Sequence, residues 1–397
     1  MVLERDFPTT PPDIRVEKES RSLLRAGHEI DMLSLKITSP ENHARVEGVQ
    51  VFRVPIPMLR IRDWDEAGVE ELFHSPESPW VAAIEGFIDR QKPEVLHVHD
   101  LPLVWSSEYA ARRKGIPIIF DMHEIYPPLV RFMRPGDHDS GGWKASEWVN
   151  GYERECLAQA DRIIVVVEES RQRLLRMGIP KDRIAVVMNT EDLERMRAVA
   201  PPDRPVSDLH GKFLLTYVGT FGEIRGLELL VDALPALLPR VPNLHLLLVG
   251  GEYNQPALEA MADERGVREH VTITGWVEFR EIPYYIAISD VCAVPHIRNE
   301  FTDATIPHKL FQYMCMGKPV VVSDAAPLAR IVCECRCGTV FPSGRTGAVA
   351  EAVLELSLDP HRRERMGENG RRAAVEKYNW GTDQRNLLCL YEGLGRA

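Results

Sequence analysis

The stretch from Thr302 to Asp324, TDATIPHKLFQYMCMGKPVVVSD, restricts the fold more than any other part of the chain. Val320, Val321 and Val322 form an unbroken β-branched run that suits a strand buried on both faces, and such a strand belongs to a sheet with helices on either side. A helix is encoded just before it. Pro307 suits a first turn, where its missing N–H costs nothing, and Gly317 with Pro319 suits the far end, so a helix is predicted over about 307 to 316. Leu310, Phe311, Met314 and Cys315 make its apolar stripe, whereas Lys309 and Gln312, three residues apart, share another face. A lysine in the first turn adds its charge to free N–H groups and the positive end of the helix dipole, which suits an anion such as a phosphate. The same residues equally suit a solvated lysine on a surface helix.

The remainder repeats this alternation. VLERDF opens as a short strand, a helix follows over about 15 to 26, and EIDMLSL and VQVFRVPI read as strands. EVLHVHD, IPIIFDMHE, ADRIIVVVEES and RIAVVMNTED continue the first half, and FLLTYVGT, LHLLLVGG, VTITGW and DVCAVP the second, with helical segments between them. The predicted class is α/β, with doubly wound, mostly parallel sheets. At 397 residues the chain exceeds a single core and divides into domains over about 1–200 and 209–379, joined by PPDRPVSD at 201–208, with a closing helix over about 380–397.

In such sheets the ligand crevice lies outside the carboxyl ends of the strands. His97, His99, Asp100, Asp121, His123, Glu124 and Asn189 all fall at predicted strand ends; His97 and His99 equally fit structural histidines. Arg225 precedes a predicted helix, where a cation is unfavourable against the dipole unless an anion is expected. Gly219, Gly222, Gly250 and Gly251 let backbone approach a ligand, and Trp276 and Val277, just past a strand, are candidates to flank a base, with core packing the alternative for Trp276. Two D-x-D pairs, Asp63-Trp64-Asp65 and Asp137-His138-Asp139, do not follow apolar strands, so no metal is expected at either. Cys333, Cys335 and Cys337 would share one side of a strand, but zinc spacing and a second pair are missing.

A formal net charge of -11 argues against a nucleic-acid partner. No apolar run approaches the roughly eighteen residues of a membrane span, MVLERDFP is charged too early for a secretory signal, and seven scattered cysteines fit a reducing compartment. A cytoplasmic location is predicted.

PHKLFQYMCMGKPVVVSD resembles the nucleotide-sugar segment of the retaining GT-B glycosyltransferases, the glycogen-synthase-like family 4 group, whose pattern here is P-x-K-L-F-E-Y-M-x-x-G-K-P-V-V. The resemblance implies two Rossmann-like domains facing across a cleft, the closing helix returning to the first, and transfer of a sugar from a nucleoside diphosphate with retained configuration and no metal or other cofactor. It makes Lys309 a diphosphate ligand, with Arg225 in place of the family's lysine. It puts Gln312 on the donor ribose in place of an acid, and leaves Asp303 and Glu300 as the nearest substitutes for a second acid where Ala304 stands. D-M-H-E carries over the active-site histidine onto His123. Gly219, Thr220, Gly222, Trp276, Val277, Ile306, Pro307 and His308 complete the implied donor side, and Asp13, Arg15, His99, Asp100, Glu124 and Asn189 the acceptor side. The acceptor itself stays open between a small molecule, a glycan and a lipid-linked glycan, with weak peripheral membrane contact through Leu129, Val130, Arg131, Phe132, Met133 and Arg134. A sugar-nucleotide epimerase and a non-catalytic sugar-binding or scaffold protein are the alternatives.

Overall fold

A computed structural model describes residues 1–8, 13–61, 64, 66–133, 141–199, 209–251 and 254–394, and of 141–144 the backbone alone. The linker expected at 201–208, Asp63, Asp65, the Asp137–Asp139 pair, Thr9, Thr10 and Arg134 lie outside the described residues. The chain forms two compact units, one made of Met1–Met188 with Asp383–Ala397 and the other of Asn189–Thr382.

In the first unit β1 (Asp31–Leu35), β2 (His43–Val46) and β3 (Val49–Val54) form a sheet in the order β1-β3-β2. Strands β4 (Leu96–His99), β5 (Ile118–Met122), β6 (Arg162–Val165) and β7 (Ile184–Val186) form a second, parallel sheet in sequence order. The opening residues join the two. Val2 bridges in parallel to Leu33 and Val98, with Val2 N–H donating to the His97 carbonyl and Leu3 N–H to the Leu33 carbonyl, both at 2.9 Å. Asp13 caps the helix Ile14–Arg25 by accepting from the Val16 N–H, which fixes Arg15 and Glu19 on one buried face. Strand β2 is the element the sequence hides. HARV is polar, lies half-exposed at the sheet edge and pairs antiparallel to β3 across Glu47 and Gly48, whose φ values of 47° and 96° make the tight turn. The helix Trp380–Leu394 contributes Tyr391, whose hydroxyl lies 2.7 Å from His97 Nδ1.

The second unit carries β8 (Phe213–Val218), β9 (Leu244–Val249), β10 (Val271–Ile273), β11 (Val291–Val294), β12 (Val320–Ser323) and β13 (Gly338–Phe341) in one parallel sheet. Its order is β10-β9-β8-β11-β12-β13, so the direction of winding reverses between β8 and β11. Every residue of β8, β9, β11 and β12 is buried, as apolar runs in a doubly covered sheet should be. The core beneath is built from Leu230, Leu234, Leu246, Leu248, Val321 and Val353 with their neighbours.

Two sequence expectations change. Cys333 and Cys335 end the helix Ala326–Cys335 and Cys337 follows it, so the three thiols are not on a strand: Arg336 turns left-handed (φ 53°) and closes the helix between them. In the helix Tyr126–Met133, Leu129 and Val130 are buried in the core, which leaves Met133, at 45% exposed, as the large apolar residue facing water. Among the described residues no helix is long and apolar enough to cross a membrane.

Candidate active site

The reversal point between β8 and β11 is where an open α/β sheet leaves a crevice, and the second unit places its cations there. The predicted helix is His308–Cys315; Pro307, extended at φ -78° and ψ 144°, stands just before it, so Lys309 is its second residue. Lys309 is 8% exposed, and its Nζ donates to the Tyr217 hydroxyl at 2.6 Å while lying 4.0 Å from the centre of that ring. Tyr217 in turn donates to the Thr220 carbonyl at 2.8 Å. Gly219 makes room for this arrangement. Its φ is +128°, and a Cβ there would stand 2.8 Å from Lys309 Nζ.

Arg225 ends a single turn, Glu223–Arg225, and is followed by Gly226 at φ 65° and the helix Leu227–Leu237. Gly226 is obligatory, because a Cβ would lie 2.2 Å from the Pro295 carbonyl. That packing sets the Arg225 turn against Pro295–Ile297, which the Ile297 N–H reinforces by donating to the Ile224 carbonyl at 2.9 Å. Among the described residues neither Lys309 nor Arg225 has a carboxylate within 4.0 Å. Burial, and then Arg225, drive the Lys309 ammonium well below the usual lysine range. His296 lies beside the two cations and was not singled out by sequence. It is 2% exposed, its Nε2 has no hydrogen-bond partner among the described residues, and burial followed by Arg225 and Lys309 holds it well below the usual range, hence neutral. The pattern is that of a largely buried cluster biased toward positive charge.

Other donor-side candidates are distributed around it. Gln312, buried, donates from Nε2 to Glu191 Oε1 at 3.1 Å, and His308 Nδ1 lies 3.2 Å from the same oxygen. Ile306 offers its carbonyl to Asn189 Nδ2 at 3.0 Å, which puts Asn189, an acceptor-side candidate in the sequence, in the second unit beside the donor-side candidate Ile306. Gly222 is extended, and Trp276, at 47% exposed, stands with Val277 beyond β10. Asp303 is otherwise occupied. Both of its oxygens meet Arg298 Nε at 3.1 Å and one caps the helix Ala326–Cys335 through the Ala326 N–H at 2.7 Å.

In the first unit the strand ends of β4 and β5 gather a second cluster. Asp121, wholly buried, accepts from Arg15 Nε at 2.9 Å and Nη2 at 2.6 Å and lies 3.0 Å from His123 Nε2. Burial alone would raise its carboxyl, but Arg15 and then His123 outweigh burial and hold it well below the carboxylate range. Burial would lower His123; Asp100, with its Oδ2 3.6 Å from Nδ1, and Asp121 reverse this and raise it to about 9. His123 is therefore an imidazolium at neutral pH. His99, 3.1 Å from His123 Nε2, is pushed down to about 3 by burial and by His97 stacked 4.4 Å away. Asp13 has its carboxyl lowered, as His123 and Arg5 overcome burial, and Arg5 Nη2 lies 3.7 Å from Asp100. Glu124 follows β5 just beyond His123.

Glu19, His97, His99 and Asp121 bring atoms of metal-ligand type within 4.8 Å of one another. Arg15 already occupies that ground. Its guanidinium pairs with both Asp121 and Glu19, the latter at 3.0 Å, so a cation would sit against a cation, and the donor set fits a proton-sharing network better than a metal centre.

Comparison with known proteins follows the same two halves. Residues 13–190 match the family described as a glycosyl transferase 4-like domain, and residues 201–373 the family described as glycosyl transferases group 1. The D-inositol 3-phosphate glycosyltransferase of Xylanimonas cellulosilytica is 26% identical over 396 residues, covering 96% of this chain and 90% of its own length. Sucrose-phosphate synthase from Thermosynechococcus elongatus has a similar structure, with a TM-score of 0.77 at 20% identity over 96% of this chain and 93% of that one. Anabaena HepE in complex with UDP-glucose gives 0.70 at 15% identity over 99% and 98%. At such identities the structural likeness shows the fold alone, GT-B.

Proposed function

Since this chain belongs to the family 4, group 1 glycosyltransferases and has their GT-B fold, we propose that it transfers a sugar from a nucleoside diphosphate with retention of anomeric configuration and without a metal ion. One observation carries the reading: Lys309 and Arg225 lie close enough to interact at the sheet's reversal point, with neutral His296 beside them and no carboxylate within 4.0 Å of either cation among the described residues. As the nucleoside diphosphate leaves, negative charge grows on its phosphate oxygens. Two cations and the free N–H groups of the helix His308–Cys315 stabilise that charge in this reading, the task a metal serves in other transferases.

His123 enters as an acid-form group. An imidazole raised to about 9 by Asp100 and Asp121 holds its proton at neutral pH, so it orients the transferred sugar by donating a hydrogen bond and does not act as the base. The proton of the incoming hydroxyl then passes to the departing phosphate on the same face of the sugar, which is how configuration is kept. The UDP-glucose carried by HepE and the GDP-mannose dependence of a related mannosyltransferase of Mycolicibacterium smegmatis support a nucleotide-sugar donor for this chain.

The test is proton NMR of the product formed in excess chelator. The anomeric coupling of donor and product should match, with turnover undiminished by EDTA. An inverted centre, or activity lost to chelation and restored by manganese, would overturn the mechanism.

A further inference from the structure

One buried carboxylate ties the helix bearing Lys309 to the segment after β7. Glu191 is wholly buried, and its Oε1 receives Gln312 Nε2 at 3.1 Å and lies 3.2 Å from His308 Nδ1. Backbone pins it in place, since Trp380 N–H donates to the Glu191 carbonyl at 2.9 Å, Glu191 bridges to Asn379, and Asn189 is tied to Ile306. Gln312 sits three residues after Lys309 and so follows it along one helix face, about one turn or 5.4 Å further on.

A primary amide has two chemically opposite ends. With its NH2 held by a carboxylate, the carbonyl oxygen is the end left to meet a ligand, and the charge-assisted bond polarises the amide so that this oxygen accepts more strongly. In a nucleoside diphosphate the ribose is joined to the phosphates through a single CH2. A side chain one helical turn from a phosphate ligand therefore reaches ribose hydroxyls. Building on the reading that the diphosphate sits at Lys309, we propose that Glu191 is a positioning residue for the donor. It fixes the Gln312 amide so that Oε1 accepts from a ribose hydroxyl, it steadies His308, and it supplies from a neighbouring segment the negative charge that Gln312 lacks.

The pair can be exchanged. In Gln312→Glu alone, two carboxylates would face each other at about hydrogen-bond distance in a buried site, and one must be protonated for both to stay. In Glu191→Gln alone, two amides replace an amide and an acid. In the double exchange, carboxylate and amide are again paired, with the charge moved onto the helix.

The experiment titrates UDP, GDP and their 2′,3′-dideoxy counterparts into the wild-type protein, both single variants and the double variant. Wild type should favour the ribose form at least tenfold. Glu191→Gln should lose most of that preference while its affinity for the dideoxy form changes less than threefold. Gln312→Glu should lose at least tenfold in affinity at pH 8 and recover much of it at pH 6, and the double variant should return to within threefold of wild type. Full hydroxyl preference in Glu191→Gln, or losses in the double variant that merely multiply those of the singles, would overturn the assignment while leaving the donor site standing. A wild-type protein that binds none of these nucleotides, and neither ADP nor dTDP, removes the donor reading and this inference together.

Discussion

Replacing Lys309 with methionine should stabilise the ligand-free protein and weaken nucleotide binding, and both effects come from the same surroundings. Lys309 is 8% exposed, its Nζ rests on Tyr217, and the neighbouring charge that acts on it is Arg225, which opposes its own. Methionine keeps the stem and drops the ammonium. Removing a buried cation that has no carboxylate partner among the described residues should contribute about 0.5–2 kcal/mol, and each kcal/mol moves the melting temperature by roughly 2–4 °C in a unit of this size. In the nucleotide complex the ammonium is opposed by phosphate, and losing that charge-assisted bond costs about 1.5–3 kcal/mol, roughly ten- to a hundredfold in affinity. With nucleotide at about a hundred times the wild-type Kd, stabilisation of about 2.7 kcal/mol should fall to about 1.4 after a tenfold loss and about 0.4 after a hundredfold one. Scanning calorimetry with and without UDP or GDP reads both effects. A variant that melts lower than wild type without nucleotide, yet keeps the full nucleotide shift, would refute the placement of Lys309 against the diphosphate.

Arg225→Ala should lower kcat/KM by roughly ten- to a hundredfold under steady-state assay, since its guanidinium has no ion pair among the described residues. Gly226→Ala should destabilise the protein by more than about 1 kcal/mol in a urea titration and weaken donor binding as well, because φ 65° and the Pro295 carbonyl 2.2 Å from the new Cβ force the Arg225 turn to move. His123 has a folded-state value of about 9, above its ordinary one near 6.5, so its contribution to stability is full below about pH 6.5 and is lost as pH rises through about 9. That loss is on the order of 3 kcal/mol in the limit. In His123→Ala the pH dependence over this window should flatten and kcat should fall more than donor affinity; an unchanged pH profile would remove the imidazolium from the account.

Much of this was legible from residue order. The apolar runs of β8, β9, β11 and β12 announce strands covered on both faces, and Pro307 with Gly317 brackets the helix to within about one residue, because a doubly buried sheet and a capped helix leave one-dimensional traces. Strand β2 left none, since an exposed edge strand needs no apolar face. The site residues divide in the same way. Lys309 and Arg225 stand in local motifs. The pairing of Arg15 with Asp121 spans 106 residues, and that of Gln312 with Glu191 spans 121, so no local pattern could announce either. The second pairing bears on the family pattern: Gln312→Glu would restore the family acid, yet beside buried Glu191 it would set carboxylate against carboxylate. His296 was passed over because a lone histidine after a strand is common; its buried, unpartnered Nε2 is visible in three dimensions alone.

The most direct measurement is thermal stabilisation by a panel of UDP-, GDP-, ADP- and dTDP-sugars in excess chelator, run on the wild-type protein and on the double variant Arg225→Ala, Lys309→Met. At least one sugar nucleotide should stabilise wild type by about 2.7 kcal/mol at a hundred times its Kd and leave the double variant unshifted at the same concentration. Equal stabilisation of both proteins, or none of wild type by any member of the panel, would contradict a nucleotide-sugar site built on Arg225 and Lys309.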